Sequence, residues 1–218
     1  MSSQRVAFDL LRALKESANS RPGLCIPAGI PVQALLRPVS TKPESLNRDD
    51  VRRLTEWRNR FVRSFLTEFE ATHERTAQWL VEVVGAKEGK ILFMVDDLDG
   101  QTFGYMGLDF MDWNKSYGEA DAVVRGGHAR PGVMKLSLQT LLHWAGQQLG
   151  LQTLGVRVRS DNTAVDFYRK VGFREIFRVP LRCVHELGMI RWVEAESLET
   201  GQIYLIHMLW EGNPKVLG

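Results

Sequence analysis

The chain has 218 residues, of which 44% are hydrophobic and 25% charged, and its formal net charge at pH 7 is +2. This composition is that of a globular protein whose core is large enough to need no disulfide or metal staple. The charge is too small, and the basic residues too scattered, to indicate nucleic acid as a partner. We expect no membrane span or signal peptide, because charged residues interrupt the start and the uncharged stretch 136–156 contains four glutamines.

The two cysteines, Cys25 and Cys183, are far apart in the sequence. No other cysteine or histidine stands at a metal-ligand spacing from them, so we expect neither a disulfide framework nor a metal site. Such sparse use of cysteine fits a reducing, cytoplasmic setting.

The first 32 residues are predicted to be an appendage to a main domain of residues 33–218. Residues 4–18 have the apolar stripe of an amphipathic helix, and 19–32 contain three prolines typical of a loop or linker. The stripe is expected to dock on the main domain or, as the alternative, on a second subunit.

Hydrophobic periodicity and turn residues predict a mixed α/β main domain. Consecutive antiparallel strands followed by β-α-β units favour a mixed sheet with helices on both faces. The predicted elements are a strand at 33–39, helices at 48–69 and 71–84, strands at 91–95, 101–111 and 118–125, a helix at 132–149, a strand ending at 159, a helix ending at 171, strands at 173–181 and 203–210, and an extra strand or ordered loop at 183–195.

The most informative segment is 156–173, with the sequence VRVRSDNTAVDFYRKVGF. Valine and arginine alternate as in a strand, polar residues suited to a helix N-cap follow, and a short apolar stripe ends at Gly172. The pattern N-x-A-x-x-F-Y-x-x-x-G-F in this segment resembles the acyl-CoA side of GNAT-type N-acetyltransferases.

A glycine-rich loop, 126–134, lies between a predicted strand and a long helix. Free N–H groups at the helix start, together with Arg125 and Arg130, suit a phosphate, although such a turn is more often a plain connection. GNAT enzymes carry R/Q-x-x-G-x-G/A here, whereas this chain has Ala129 at the Arg/Gln position and Met134 at the last, small position. The P-G-V sequence of the loop is similar to that of amino-sugar acetyltransferases of bacterial surface-glycan pathways.

The resemblance spans about residues 35–182 and implies a GNAT fold with a mostly antiparallel sheet of six to seven strands. It implies an N-acetyltransferase that moves the acetyl group directly from acetyl-CoA to a primary amine, without a metal. Tyr168 matches the tyrosine that protonates the leaving thiolate. The residues implied in acetyl-CoA binding are Val123, Val124, Arg125, Arg130, Gly132, Val133, Met134, Lys135, Asn162, Ala164 and Phe167.

The general base is predicted to be Glu119, where some relatives carry a glutamate near the start of the corresponding strand. Asp121 shares its face, since residues two apart on a strand point the same way. His128, whose intrinsic pKa suits a base, and a chain of water molecules are the alternatives.

The acceptor side is expected to involve Arg58 and Asn59. With Trp57 and Trp79 they resemble the W-R-N…W pattern of the sugar-acetylating and ribosomal-protein-acetylating branches. The leading acceptor is an amino sugar or a nucleotide-linked amino sugar, and a protein N-terminus or an aminoglycoside is the alternative. The competing class is a non-catalytic GNAT-fold module that binds acyl-CoA. A homodimer formed through the last strand is compatible with the sequence but not required by it.

Overall fold

The protein is described by a computed structural model over residues 3–20, 23–196 and 203–212. Within these ranges the chain forms five α-helices and one ten-stranded sheet. The helices are α1 (Ser3–Ser17), α2 (Arg48–Arg60), α3 (His73–Trp79), α4 (Val133–Leu149) and α5 (Ala164–Val171). The strands are β1 (Ile26–Ala28), β2 (Ala34–Pro38), β3 (Thr67–Glu68), β4 (Ile91–Asp96), β5 (Thr102–Asp112), β6 (Tyr117–Arg125), β7 (Thr153–Arg159), β8 (Phe173–Glu186), β9 (Met189–Glu194) and β10 (Ile203–Trp210).

The helix ends follow from the residues at their caps. The side chain of Asn47 accepts hydrogen bonds from the backbone N–H groups of Asp49 and Asp50, which begins α2. Gly150 and Gly172 end α4 and α5 with φ angles of 69° and 113°, in the left-handed region that glycine adopts without strain.

The sheet order is β1-β2-β4-β5-β6-β7-β10-β8-β9-β3. The neighbouring strands are antiparallel, apart from the pair β6 and β7, which is parallel. Strand β7 therefore joins two antiparallel halves of the sheet.

The strand count differs from the expected six to seven because the sheet has three further strands. Strands β1 and β3 contain three and two residues, too few to show an alternating pattern in the sequence. Strand β9 lies within 183–195, for which the sequence predicts either a strand or an ordered loop. It pairs with residues 181–186, which extend β8 beyond its predicted end at 181.

The helix predicted over 48–69 ends earlier, at Arg60. The chain then turns, and β3 pairs with β9. The turn brings the rings of Phe65 and Phe69 over the Arg58 guanidinium, at 3.8 and 4.7 Å from the ring centroids. The hydrophobic periodicity predicts two further helical turns after Arg60, but the chain makes these contacts with Arg58 instead of continuing the helix.

Helix α1 packs on the main domain. Ala7, Leu11 and Leu14 belong to the same buried cluster as α4 and α5. The Lys15 ammonium donates hydrogen bonds to the carbonyls of Gly85 and Lys87, at 2.9 and 3.0 Å. The described part of the first 32 residues thus contributes core side chains and, through β1, a strand of the sheet.

The two faces of the sheet carry different helices. One buried cluster includes side chains of α1, α4 and α5, and a second includes those of α2 and of the helical turns after α3. None of the helices in the described ranges has the length and apolar character needed to cross a membrane.

Candidate active site

The candidate site is a cleft where β6 and β7 separate. Their parallel pairing covers only three residue pairs, from Tyr117 with Thr153 to Glu119 with Gly155. Beyond Glu119 lies a cleft of about 860 Å³, lined by β6, β7, the start of α4, α5 and the segment 61–67. The volume is within the range typical of small-molecule sites.

A β-bulge in β6 shapes this cleft. Ala122 has a φ of 51°, which is uncommon for a residue with a side chain, and the register against β5 shifts between Tyr105 and Gly107. A bulge bends its strand and redirects the side chains that follow it. The side chains of Val123 and Val124 therefore depart from the regular alternation between the two faces of the sheet. No pattern in the sequence indicates this bulge.

The structure brings the predicted cofactor residues together. Ten of the eleven line the cleft, while Val133 is buried in the core beneath it. The two proposed catalytic residues, Tyr168 and Glu119, line the same cleft. The ten are Val123, Val124, Arg125, Arg130, Gly132, Met134, Lys135, Asn162, Ala164 and Phe167.

The glycine-rich loop divides into two parts with different roles. The N–H groups of Gly126 and Gly127 donate to the carbonyl of Phe103, at 3.1 and 2.9 Å, and a Cβ at Gly126 would lie 1.9 Å from the Trp57 ring. This part serves packing against α2. Gly132, with a φ of 84°, begins α4, so the N–H groups of the first helical turn, which could bind an anion, lie between Arg130 and Lys135.

Met134 occupies the position where the family motif has a small residue. Its side chain is buried, and a Cβ added at Gly104 on β5 would lie 2.9 Å from its Sδ. The large side chain on α4 therefore fills the space left by a glycine on the strand beneath. This departure from the motif has a packing reason.

Tyr168 lies on α5 with its ring held edge-on by Phe167 and Phe173, at centroid distances of 5.6 and 5.7 Å. Its exposed fraction is 7%. Burial, and to a smaller extent the negative charge of Asp121, raise the pKa of the phenol well above its usual value. The hydroxyl therefore stays protonated at neutral pH.

Glu119 is held by two hydrogen bonds. Its Oε1 accepts from the Tyr117 hydroxyl at 2.8 Å and its Oε2 from Nε of Arg157 at 2.7 Å. Each carboxylate oxygen thus has a donor, and the side chain is nearly buried.

Asp121 and Asp109 share a buried lysine. The Lys90 ammonium, 6% exposed, donates to both carboxylates, and Lys87 donates to Asp109 at 2.7 Å. Burial disfavours the charged form of Lys90, but the two carboxylates outweigh it and raise its pKa. Asp121 is the more open carboxylate, with 34% of its side chain exposed, and it lines the cleft.

Arg58 and Asn59 do not line the cleft. Arg58 donates to the carbonyl of Thr67 at 2.6 Å, and Asn59 exchanges two hydrogen bonds with the backbone of Ala71, at 2.9 and 2.8 Å. Both side chains fix the fold of the segment after α2. His128 is exposed in the loop before α4 and also does not line the cleft.

The sequence analysis did not identify the charged residues that β5, β7 and the residue before β4 add to the cleft. The alternation of Arg157 and Arg159 was interpreted only as a strand signal, and Lys90 stands directly before an apolar strand without any motif. Apart from Asp161, which is two residues from Arg159, their carboxylate partners are 19 to 91 residues away, so no local pattern could pair them. In the described part of the chain, no group of three or more His, Cys, Asp or Glu side chains could hold a metal ion.

Comparisons with known proteins agree with this geometry. The family model described as an acetyltransferase (GNAT) domain matches residues 44–174. A Vibrio cholerae spermidine N-acetyltransferase in complex with CoA and spermine is similar with a TM-score of 0.61 and 16% identity over 81% of this chain and 95% of that chain. A spermidine N-acetyltransferase SpeG chimera from Vibrio cholerae and hSSAT gives 0.60 and 17%, covering 82% and 95%. No curated protein sequence matches significantly.

The chain therefore belongs to the GNAT acetyltransferase family. It is an N-acetyltransferase that uses acetyl-CoA as its co-substrate. The similarity to the solved structures, at 16–17% identity, establishes the fold alone.

Proposed function

We propose that this protein transfers the acetyl group of acetyl-CoA to a primary amine of a small, flexible polyamine. The observation that carries the proposal is the meeting, in one cleft, of Tyr168, the start of α4 and the partly exposed carboxylate of Asp121. Two β-α units that are separate in sequence supply the cofactor side, and the strands β5 and β6 supply the charged side.

On the cofactor side, Arg130 and Lys135 are exposed beside the free N–H groups at the start of α4, which suits a pyrophosphate. Asn162 and Phe167 lie on the other wall and would hold the arm that ends in the thioester. The side-chain oxygen Oδ1 of Asn162 also accepts a hydrogen bond from the backbone N–H of Ala164 at 2.9 Å, so the same side chain would cap helix α5 and contact the ligand.

The chemistry follows from the groups in the cleft. Backbone N–H groups of 123–125 stabilise the thioester oxygen as the amine nitrogen bonds to the carbonyl carbon. The C–S bond then breaks, and Tyr168 gives its proton to the sulfur. The tyrosinate recovers a proton from the nitrogen of the new amide, which leaves the protein unchanged.

The amine arrives as an ammonium and must first lose one proton. Glu119 is the base predicted from the sequence, and with both oxygens hydrogen-bonded it would act through water. Asp121 is better exposed, and since Lys90 donates to its Oδ2, the ammonium would be received by Oδ1. Glu119→Gln and Asp121→Asn test which of the two carboxylates removes this proton. The variant that lacks the base should lose turnover chiefly below the pKa of the amine.

The acceptor class rests on the charges around Asp121 and on the neighbouring rings. Lys90, Arg157 and Arg159 line the cleft and are each paired with carboxylates, so they offer little to the diphosphate of a nucleotide-linked amino sugar. The rings of Phe61, Phe65 and Phe110 line the same cleft and suit an alkyl ammonium chain. The similar solved structures include one with spermine bound, which supports a polyamine.

The test is thiol release from acetyl-CoA with a panel of amines: spermidine, spermine, an amino sugar, its nucleotide-linked form, an aminoglycoside and a peptide N-terminus. We expect the highest kcat/KM with a polyamine. Preference for the amino sugars would overturn the acceptor class and restore the assignment made from the P-G-V loop. Thermal stabilisation by acetyl-CoA without thiol release for any amine would favour the non-catalytic module instead.

A further inference from the structure

We infer that Arg159 is a positioning residue that fastens the segment 64–68, one wall of the acceptor side, to the turn that begins α5. The inference deepens the proposed function, on which it rests for the assignment of that wall. Arg159 is the last residue of β7, and its side chain is 4% exposed.

One edge of the Arg159 guanidinium holds the acceptor wall. Its Nη1 donates to the carbonyl of Phe65 at 3.2 Å and to Oε1 of Glu68 at 2.7 Å. Phe65 lines the cleft, and Glu68 belongs to β3, which has only two residues. A strand this short depends on side-chain contacts for its position.

The other edge of the same guanidinium holds the cofactor turn. Nε and Nη2 donate to the two oxygens of Asp161, at 3.0 and 2.7 Å. The next residue, Asn162, donates from its side-chain nitrogen to the carbonyl of Ser64 at 3.1 Å. Arg159 at the end of β7 and Asn162 in the turn therefore bind two successive carbonyls of the acceptor wall.

Strand β9 supports the arrangement from outside the cleft. The Arg159 guanidinium lies over the Trp192 ring, 4.3 Å from its centroid. The indole N–H of Trp192 donates to Oε1 of Glu68 at 2.7 Å, and its backbone N–H donates to the carbonyl of Leu66 at 2.8 Å. A planar group with a fork of donors can make all of these contacts at once, whereas a lysine ammonium cannot.

This arrangement gives Arg159 a specific effect on catalysis. Its charge is balanced by Glu68 and Asp161, so it is not a free cation for a substrate phosphate. The turn also has backbone bonds of its own, from the N–H of Ser160 to the carbonyl of Tyr204 at 2.8 Å and from the N–H of Asn162 to the carbonyl of Arg159 at 3.0 Å. Loss of the Arg159 side chain would therefore release the wall while leaving the cofactor turn, Tyr168 and the start of α4 in place. The KM for the amine should therefore rise, and the KM for acetyl-CoA should not.

The experiment compares Arg159→Gln and Arg159→Lys with the control Arg178→Gln, which removes an exposed arginine paired with Glu175 on β8. Spermidine, or the best amine of the panel, is the acceptor. We expect the amine KM to rise at least tenfold in Arg159→Gln and less in Arg159→Lys, with the acetyl-CoA KM within twofold. An unchanged amine KM, or equal increases for both substrates, would overturn the inference.

Amide hydrogen exchange of the ligand-free protein gives a second readout. Exchange should accelerate at 64–68 in Arg159→Gln and stay unchanged in α4, and uniform acceleration would contradict the inference. Because no amine is involved, failure of the proposed function leaves this result interpretable. If Arg159→Gln does not fold, Trp192→Phe is the second variant. It keeps an aromatic ring under the Arg159 guanidinium but removes the hydrogen bond from the indole N–H to Glu68. Amide exchange should then accelerate over the same residues, 64–68.

Discussion

The replacement Tyr168→Phe removes one oxygen atom from the candidate site and leaves the ring in place. If the hydroxyl protonates the leaving thiolate, turnover should fall by about 100- to 10,000-fold, the usual contribution of a general acid. This loss corresponds to about 3–5 kcal/mol of transition-state stabilisation. Thiolate departure without a donor is the step that slows.

The structure predicts little cost to the fold, since the edge-on contacts of the ring with Phe167 and Phe173 do not involve the hydroxyl. Tyr105→Phe is the matched control. Tyr105 is as deeply buried, and burial likewise raises its pKa, but its ring stacks on Trp57 at 6.2 Å and is not part of the cleft lining.

The assay is stopped-flow or steady-state thiol release, with acetyl-CoA affinity measured separately by calorimetry. We expect a lower kcat in Tyr168→Phe, acetyl-CoA affinity within about threefold, and full activity in Tyr105→Phe. Because the pKa of Tyr168 is raised, the phenol stays protonated through pH 10, and its ionisation should impose no alkaline decline of kcat below that pH. An unchanged kcat in Tyr168→Phe would refute the assignment, and an alkaline decline near pH 8 that only Tyr168→Phe abolishes would refute the raised pKa.

Three further predictions concern packing and pH. Gly126→Ala places a Cβ against the Trp57 ring, so denaturant unfolding should show a loss of about 1–3 kcal/mol, and wild-type stability would contradict the packing role. Met134→Gly empties the space beside Gly104 and should cost about 2–5 kcal/mol, yet CoA affinity by calorimetry should be kept or tightened; a large loss of affinity would place the cofactor elsewhere. Burial, with nearby Arg157, lowers the pKa of His207 in the folded protein. Below about pH 6.5 the unfolded chain therefore binds more protons at His207 than the folded protein does, and the free energy of unfolding falls as the pH falls. His207→Gln should flatten that fall between pH 7.5 and 5.5 in urea titrations, whereas an identical slope would remove His207 as its cause.

The elements with strong local patterns were predictable from the sequence. Gly172 ends α5 where a glycine C-cap was expected, and the turn before β5 follows the Asp99-Gly100 signal. Strands β1 and β3 were not predictable, because three and two residues carry no periodicity. The end of α2 at Arg60 depends on the tertiary contacts of Arg58 with Phe65 and Phe69, which override helical spacing.

The candidate site likewise has one part that the sequence predicts and another part that it does not. The proposed cofactor side comes from two contiguous segments, 123–135 and 162–168, which a motif in a single sequence can indicate. The proposed acceptor side instead combines Lys90 with Asp109 and Asp121, and Arg159 with Glu68, partners separated by up to 91 residues. Ion pairs between remote residues leave no local signal. The W-R-N motif predicts Arg58 and Asn59 for the acceptor side, whereas in the structure both side chains bond the segment after α2.

The short pairing between β6 and β7 has a consequence for cooperativity of unfolding. Two antiparallel halves of the sheet meet through only three residue pairs, so the backbone contributes little at the seam between them, where a ligand would bind. A molecule seated in that seam contacts both halves at once and adds its binding free energy to the junction. Acetyl-CoA should therefore sharpen the unfolding transition as well as raise its midpoint, and the protein without ligand should open first between these two strands.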